Sequence, residues 1–138
     1  MLVLDASAAV ELVLNRAAAA TIQDTVLEHD ASLHAPHLLD IEVLSALRRL
    51  TTSGQASLER ATAAMDDLLD LPIERYAHHD LAPRIWDLRD NFSAYDAAYV
   101  ALAEALSDDG VALLTGDSRL ASAVAAHTEL DVVVVANP

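Results

Sequence analysis

The sequence predicts an α/β domain built on a parallel sheet, and three observations carry that prediction. Short β-type runs alternate with longer stretches of helical periodicity along the whole chain. Two of the runs, Val111–Leu114 and Val132–Val135, are apolar throughout, as strands covered by helices on both faces are. The breaks are short, with no linker, repeat or low-complexity tail, so the 138 residues read as one domain, 1–138.

Taken in order, Leu2–Leu4 is the first strand and ends at Asp5, ahead of a helix over Ala8–Leu14. A second helix covers Ala17–Glu28, where the Ala17–Ala20 run favours helix. Ser32–Ala35 forms the second strand, and Pro36 suits the first position of a long helix reaching Thr51. After the break around Gly54, Ser57 is placed to cap the helix Leu58–Leu69. Ile73–Tyr76 is the third strand, and Leu81–Arg89 a short helix. Ser93 with Asp96 fits a capping box for Ala94–Leu106. Val111–Leu114 is the fourth strand, Ser118–His127 the seventh helix and Val132–Val135 the fifth strand.

Composition excludes several chemistries. A chain this long buries roughly 68–70% of its unfolded surface, enough for a core without staples. There is no cysteine, so disulfide frameworks, thiolate metal sites and cysteine nucleophiles are ruled out. All eight cations are arginine, which removes P-loop and Schiff-base lysines. The three glycines, Gly54, Gly110 and Gly116, are too scattered for a phosphate-cradling loop. Against those eight arginines stand 22 acids, a net charge of −14. That balance argues against a basic phosphate-tracking surface, and it suits divalent cation binding by clustered carboxylates or a basic partner protein. The N-terminus carries no cationic lead or apolar signal core, and the longest apolar run, Ala97–Ala103, has seven residues. A bilayer span needs about 20. A soluble cytoplasmic protein with no membrane segment is expected.

The acids fall in telling places. Asp5 follows the first strand, and Asp117 follows the fourth after Thr115 and Gly116. In an open parallel sheet, ligands bind outside the carboxyl ends of the strands, so two neighbouring strands would aim both acids into one crevice. Glu42, inside the long third helix, and Asp96, opening the sixth, could join them. Each has a plainer explanation. Asp before a helix is a favoured N-cap worth about 1 kcal/mol, and Glu42 shares a polar sector with Ser45 and Arg49 that could simply be solvated. Asp40 falls on the apolar side of the same helix and is held in reserve. Carboxylates crowded together repel unless a cation neutralises them, and oxygen ligands without cysteine select Mg²⁺ or Mn²⁺. Such ions commonly serve phosphodiester hydrolysis.

Four blocks then resemble the PIN-domain family, in particular its VapC-type toxins of type II toxin–antitoxin systems. They are Val3–Ala8 (VLDASA), Pro36 through Glu42 to Arg49, Tyr95–Ala103 (YDAAYVALA) and Leu114–Leu120 (LTGDSRL), in order across the whole chain. The resemblance implies a five-stranded parallel sheet of order 3-2-1-4-5 flanked by about seven helices. It implies that Asp5, Glu42, Asp96 and Asp117 form a Mg²⁺/Mn²⁺ site in an endoribonuclease that cuts tRNA or rRNA and halts translation. A homodimer and inhibition by a VapB-type antitoxin are implied too. Ser7 and Thr115 match small hydroxyl positions beside the acids, where they would orient metal waters or phosphate, or cap helices.

The charge of −14 is more acidic than an RNA-binding enzyme ideally carries. Arg48, Arg49 and Arg119 are the candidate RNA contacts, each equally readable as an exposed arginine shielding acids. The histidines (His29, His34, His37, His78, His79, His127) lack a carboxylate at ligand spacing, and those at helix ends suit the dipole. Trp86 is expected as a core or interface anchor. Tyr95 and Tyr99, flanking Asp96, are expected to pack at the sheet or a dimer interface rather than stack on RNA. A phosphatase of the haloacid dehalogenase type also opens with strand–Asp, but it needs an aspartate where Ser7 stands and a lysine. The competing class is a catalytically silent PIN-like domain that acts only by binding a partner.

Overall fold

The computed structural model describes residues 1–135, so the last three residues of the expected domain span lie outside the described residues. Its elements are β1 (Leu2–Leu4), α1 (Ala6–Val13), α2 (Ala19–Glu28), β2 (Leu33–Pro36), α3 (Leu38–Thr52), α4 (Leu58–Asp70) and β3 (Ile73–Tyr76). They continue with α5 (Ala82–Asp87), α6 (Ala94–Ala105), β4 (Ala112–Thr115), α7 (Ser118–His127) and β5 (Asp131–Val134). The five strands form one parallel sheet in the order β3-β2-β1-β4-β5. Right-handed crossovers then put α1–α4 on one face and α5–α7 on the other.

The apolar runs explain this layering. β1 and the inner part of β4 are fully buried, with Leu2, Val3, Leu4, Leu113 and Leu114 at 1% exposure or less. Helix α6 lies across β2, β1 and β4, and its alanines let it approach the sheet closely. β5 is an edge strand and more exposed, despite its apolar sequence. Among the described residues no helix is long and apolar enough to cross a membrane.

Several expected boundaries move, for physical reasons. Pro36 is the last residue of β2, paired with Tyr76, and not a first helical residue. Its pairing with β1 has already ended at Val3–His34, so its missing N–H breaks no ladder on that side. Helix α1 begins at Ala6, directly after its Asp5 cap, because the cap leaves no room for a linker. α2 begins at Ala19, after a turn in which Ala19 N–H donates to Arg16 O. α5 is shorter than expected: a 3₁₀ turn, His79–Leu81, precedes it, and Pro83 confines the helix start.

α1, α2 and α3 end alike. Asn15, Asp30 and Gly54 take left-handed φ values of 51°, 43° and 76°. In each case the next residue's N–H reaches back five positions: Arg16 to Glu11, Ala31 to Val26 and Gln55 to Leu50. This pattern satisfies carbonyls at the helix end, and Asn or Asp tolerates the left-handed region where glycine is absent.

Candidate active site

β1 and β4 are neighbours, and the strand order reverses between them. A crevice at such a reversal is where open α/β sheets bind ligands. Asp5 N–H donates to Leu114 O, locking the end of β1 to the end of β4. Asp5 and Thr115 are thereby brought together although 110 residues separate them.

Asp5 is only 5% exposed, yet its carboxylate is well supplied with donors. Oδ1 accepts from Ala8 N–H (3.0 Å) and Ser7 Oγ (2.7 Å), and Oδ2 accepts from Thr115 Oγ1. Asp5 therefore does cap α1, as the plainer reading has it. With about four acceptor positions on a carboxylate, one on Oδ2 is left over. Burial nevertheless pushes its pKa up; the three hydrogen bonds pull it down in part, and the nearby Asp96 charge pushes it further up.

Ser7 and Thr115 serve Asp5. Each hydroxyl has one proton and spends it on this carboxylate, so their own 3.3 Å approach is a packing contact. Ser7 Oγ in turn accepts from Gly116 N–H (2.9 Å), and Thr115 Oγ1 from Asp117 N–H (2.9 Å). Gly116 is needed here: a Cβ at that position would lie 3.3 Å from Ser7 Oγ and press on the group that orients Asp5.

Asp117 caps α7 through Arg119 N–H (2.9 Å), with the Arg119 guanidinium 3.8 Å away. Asp96 differs. The α6 cap is Ser93, which accepts Asp96 N–H at 3.1 Å, so Asp96 is free of capping duty. Its pKa is raised, first by burial and then by Asp117, against smaller opposing effects of Arg119 and Ser93. Glu42 Oε1 accepts a 2.7 Å hydrogen bond from Tyr99 Oη, which spans from α6 over the sheet edge to α3. Burial raises the Glu42 pKa; Tyr99 opposes this, Asp96 and Asp5 add to it, and Arg49 opposes it weakly.

The four acids named from the sequence thus share one electrostatic neighbourhood. Asp5 feels Asp96, Glu42 feels both, and Asp96 feels Asp117. Tyr99, only 1% exposed and held neutral by burial and by Glu42, is the functional residue that sequence reasoning placed in mere packing. Its signal was available, since Tyr99 lies three residues after Asp96 and so on the same helical face.

The donor set suits a hard cation. Its donors are the oxygens of one buried and three half-buried carboxylates whose like charges disfavour one another, and the chain has no cysteine or lysine to compete. Among the described residues no three acidic or imidazole groups close into a ready-made cage. Mg²⁺ keeps several waters and takes few protein carboxylates, so it does not require such a cage.

The remaining candidates separate clearly. A cleft of about 880 Å³ is lined by Ser7, Glu42, Ser45, Arg49 and Tyr95, so the polar sector around Glu42 faces this cleft. Arg48 is exposed and does not line it, whereas Arg119 stays beside Asp117 with its side chain 93% exposed. Asp40 belongs elsewhere: Arg75 grips both its oxygens (2.8–3.1 Å) and also bonds Leu68 O and Ile73 O, tying α3, α4 and β3 together. His34 is buried between Ser32 and Tyr76. Trp86 is not a core residue. It is 67% exposed, stacks on Arg89 at 4.7 Å, and lines an apolar groove with Ile41, Ile85 and Tyr95.

Known proteins agree with this architecture. The family profile described as "PIN domain" matches residues 2–126. Ribonuclease VapC1 of Mycobacterium tuberculosis is 46% identical over 135 residues, covering 95% of this chain and 96% of the relative. Two crystal structures share the fold. The Pyrobaculum aerophilum protein PAE2754 superposes with a TM-score of 0.66 at 21% identity, covering 95% of this chain and 81% of that one. M. tuberculosis VapC20, a toxin that cleaves the sarcin–ricin loop, gives 0.65 at 17% identity, covering 89% of this chain and 95% of that one. Sheet order, profile match and near-full-length identity converge: the chain belongs to the PIN-domain family, among its VapC proteins.

Proposed function

We propose that this chain is a divalent-metal-dependent endoribonuclease toxin that cuts tRNA or rRNA. The observation that carries the proposal is the gathering of Asp5, Glu42 and Asp96, with Asp117 beside Asp96, at the β1/β4 reversal, where Thr115 and Ser7 hold Asp5 and Tyr99 holds Glu42. These four residues would hold Mg²⁺ or Mn²⁺. Such an ion, when bound, supplies Lewis acidity toward a phosphodiester and lowers the pKa of its water. Asp5 presents its remaining Oδ2 position because Ser7 and Thr115 fix its rotation. Glu42 Oε1 is held by Tyr99, which leaves Oε2 to accept a proton from the attacking water, and its raised pKa makes it a stronger base than an ordinary carboxylate. The test is cleavage of total RNA by purified chain with Mg²⁺ or Mn²⁺. Cleavage that survives chelation counts against the proposal.

Tyr99→Phe isolates the positioning role. Phe fills the same space, so the stability cost should be that of one hydrogen bond to a carboxylate, about 1.5–3 kcal/mol. Losing an orienting partner behind a functional carboxylate lowers activity about 10–100-fold, expected in kcat more than in KM.

Two partners belong to the proposal. A second copy of this chain covers the apolar groove around Trp86, Ile41 and Tyr95, whose large exposed side chains are unusual on a monomer surface. Light scattering should give twice the chain mass, and Trp86→Glu should give the monomer. A VapB-type antitoxin neutralises the toxin; the VapC relatives and the acidic surface, which suits a basic partner, support this.

The silent-domain reading has one specific support, the genuine caps made by Asp5 and Asp117. Asp96 decides between the two readings, since it caps nothing.

A further inference from the structure

The cleft that begins at Ser7 and Glu42 extends well past the acids. It runs between α1 and α3, past Arg49, to Arg16 and Gln55 at the two helix ends. A second pocket, lined by Arg16, Gln55, Ser57 and Arg60, continues it to the start of α4. Arg16, Arg49 and Arg60 line these two stretches against only Glu11 and Glu42, the reverse of a chain with 8 arginines and 22 acids. Three of the eight arginines thus line the groove that leads away from the candidate carboxylates.

These arginines are held ready. The left-handed Asn15 turns the chain so that Arg16 N–H bonds Glu11 O, and the Glu11 side chain steadies the guanidinium at 3.5 Å while also accepting Ala18 N–H. The Arg16 side chain, 44% exposed, keeps this pairing at the mouth of the groove. Arg49 forms no ion pair among the described residues and donates only to Ser45 Oγ (3.3 Å). A guanidinium left unpaired among so many acids is suited to a fork-shaped anion such as phosphate. Arg60 is committed to Val13 O, sealing the end of α1, and forms the far wall. Arg49 lies two helical turns beyond Glu42, about 10 Å along α3, so a phosphate held there is not the one being cut.

We infer that the α1–α3 groove is a subsite for the backbone of single-stranded RNA beyond the cleaved bond, with Arg16 and Arg49 contacting its phosphates from opposite walls. The inference rests on the ribonuclease reading and adds the path of the substrate. Each phosphate neutralised on a single strand contributes about 0.7 to the slope of log affinity against log salt. The experiment measures binding of a fluorescent single-stranded RNA, in chelator so that nothing is cut, between about 50 and 200 mM salt. Arg16→Gln and Arg49→Gln should each lower the slope by about 0.7, and the double variant by about 1.4. Arg84→Gln makes the same charge change at a site paired with Glu104 outside the groove, and should leave the slope unchanged. Melting curves confirm that each variant is folded. A parent that binds RNA with a slope indifferent to Arg16 and Arg49 overturns the subsite alone. A parent that binds no RNA overturns both the subsite and the ribonuclease reading. Loss of affinity for a polyglutamate peptide, with RNA binding untouched, makes the groove a protein-docking site and also overturns the inference.

Discussion

Asp96→Asn should lower metal-dependent RNA cleavage by at least about a hundredfold while the protein melts no earlier than the parent. The kinetic figure is a floor, because altering groups that merely support metal ligands already costs about 10–100-fold. The stability half follows from local chemistry. Ser93, not Asp96, is the cap of α6, so Asn leaves that cap in place and gives up only the minor Ser93 contact to the carboxylate. It does remove a charge that burial and Asp117 both disfavour. An activity loss accompanied by unchanged or higher stability is the signature of a functional carboxylate; equal activity would mark Asp96 as ornamental. Asp5→Asn is less informative, because Asn accepts from Ala8 as a cap yet changes what Ser7 and Thr115 can donate to.

Metal should stabilise the parent in a pH-dependent manner with a defined sign. The carboxyls of Asp5, Glu42 and Asp96 are held above their ordinary range in the folded chain, chiefly by burial. Between the ordinary value near 4 and the raised folded values, the folded state binds more protons than the unfolded. The contribution of these three groups is therefore most favourable at low pH and is lost as pH rises through the raised range. A divalent cation bound as proposed would take over the role of those protons at neutral pH. At a hundred times its dissociation constant it adds about 2.7 kcal/mol, or roughly 10 °C in melting temperature for a domain of this size. The gain should be largest near pH 7–8, shrink as the medium is acidified toward about pH 4, and be sharply reduced in Asp96→Asn. Differential scanning calorimetry with and without Mn²⁺ across that range measures it. A metal effect independent of pH would contradict the shared carboxylate site.

The sheet was legible because its signals are local. Leu2–Leu4 and the all-apolar fourth run read as strands covered by helices and are, the fifth run is a strand but an exposed edge one, and Ser57 and Ser93 announce α4 and α6 by cap chemistry. What failed was set by neighbours in space. Pro36 looks like a helix opener until Tyr76 is known to lie beside it in the sheet. Asn15 and Asp30 end their helices in a conformation that no periodicity reveals. The candidate acids were legible through strand ends and the four family blocks. Their supports were only partly so: Ser7 and Thr115 were noted, but their convergence on one carboxylate depends on β1 lying against β4. Tyr99 acts on a partner 57 residues away, a distance at which a single sequence carries no pairing information.

Anomalous diffraction from crystals grown with Mn²⁺ tests the central claim most directly. The expected result is a manganese peak whose protein ligands include Asp5 and Asp96, in a preparation that cuts RNA. An active preparation whose crystals show no peak beside these carboxylates, at saturating Mn²⁺, would contradict it.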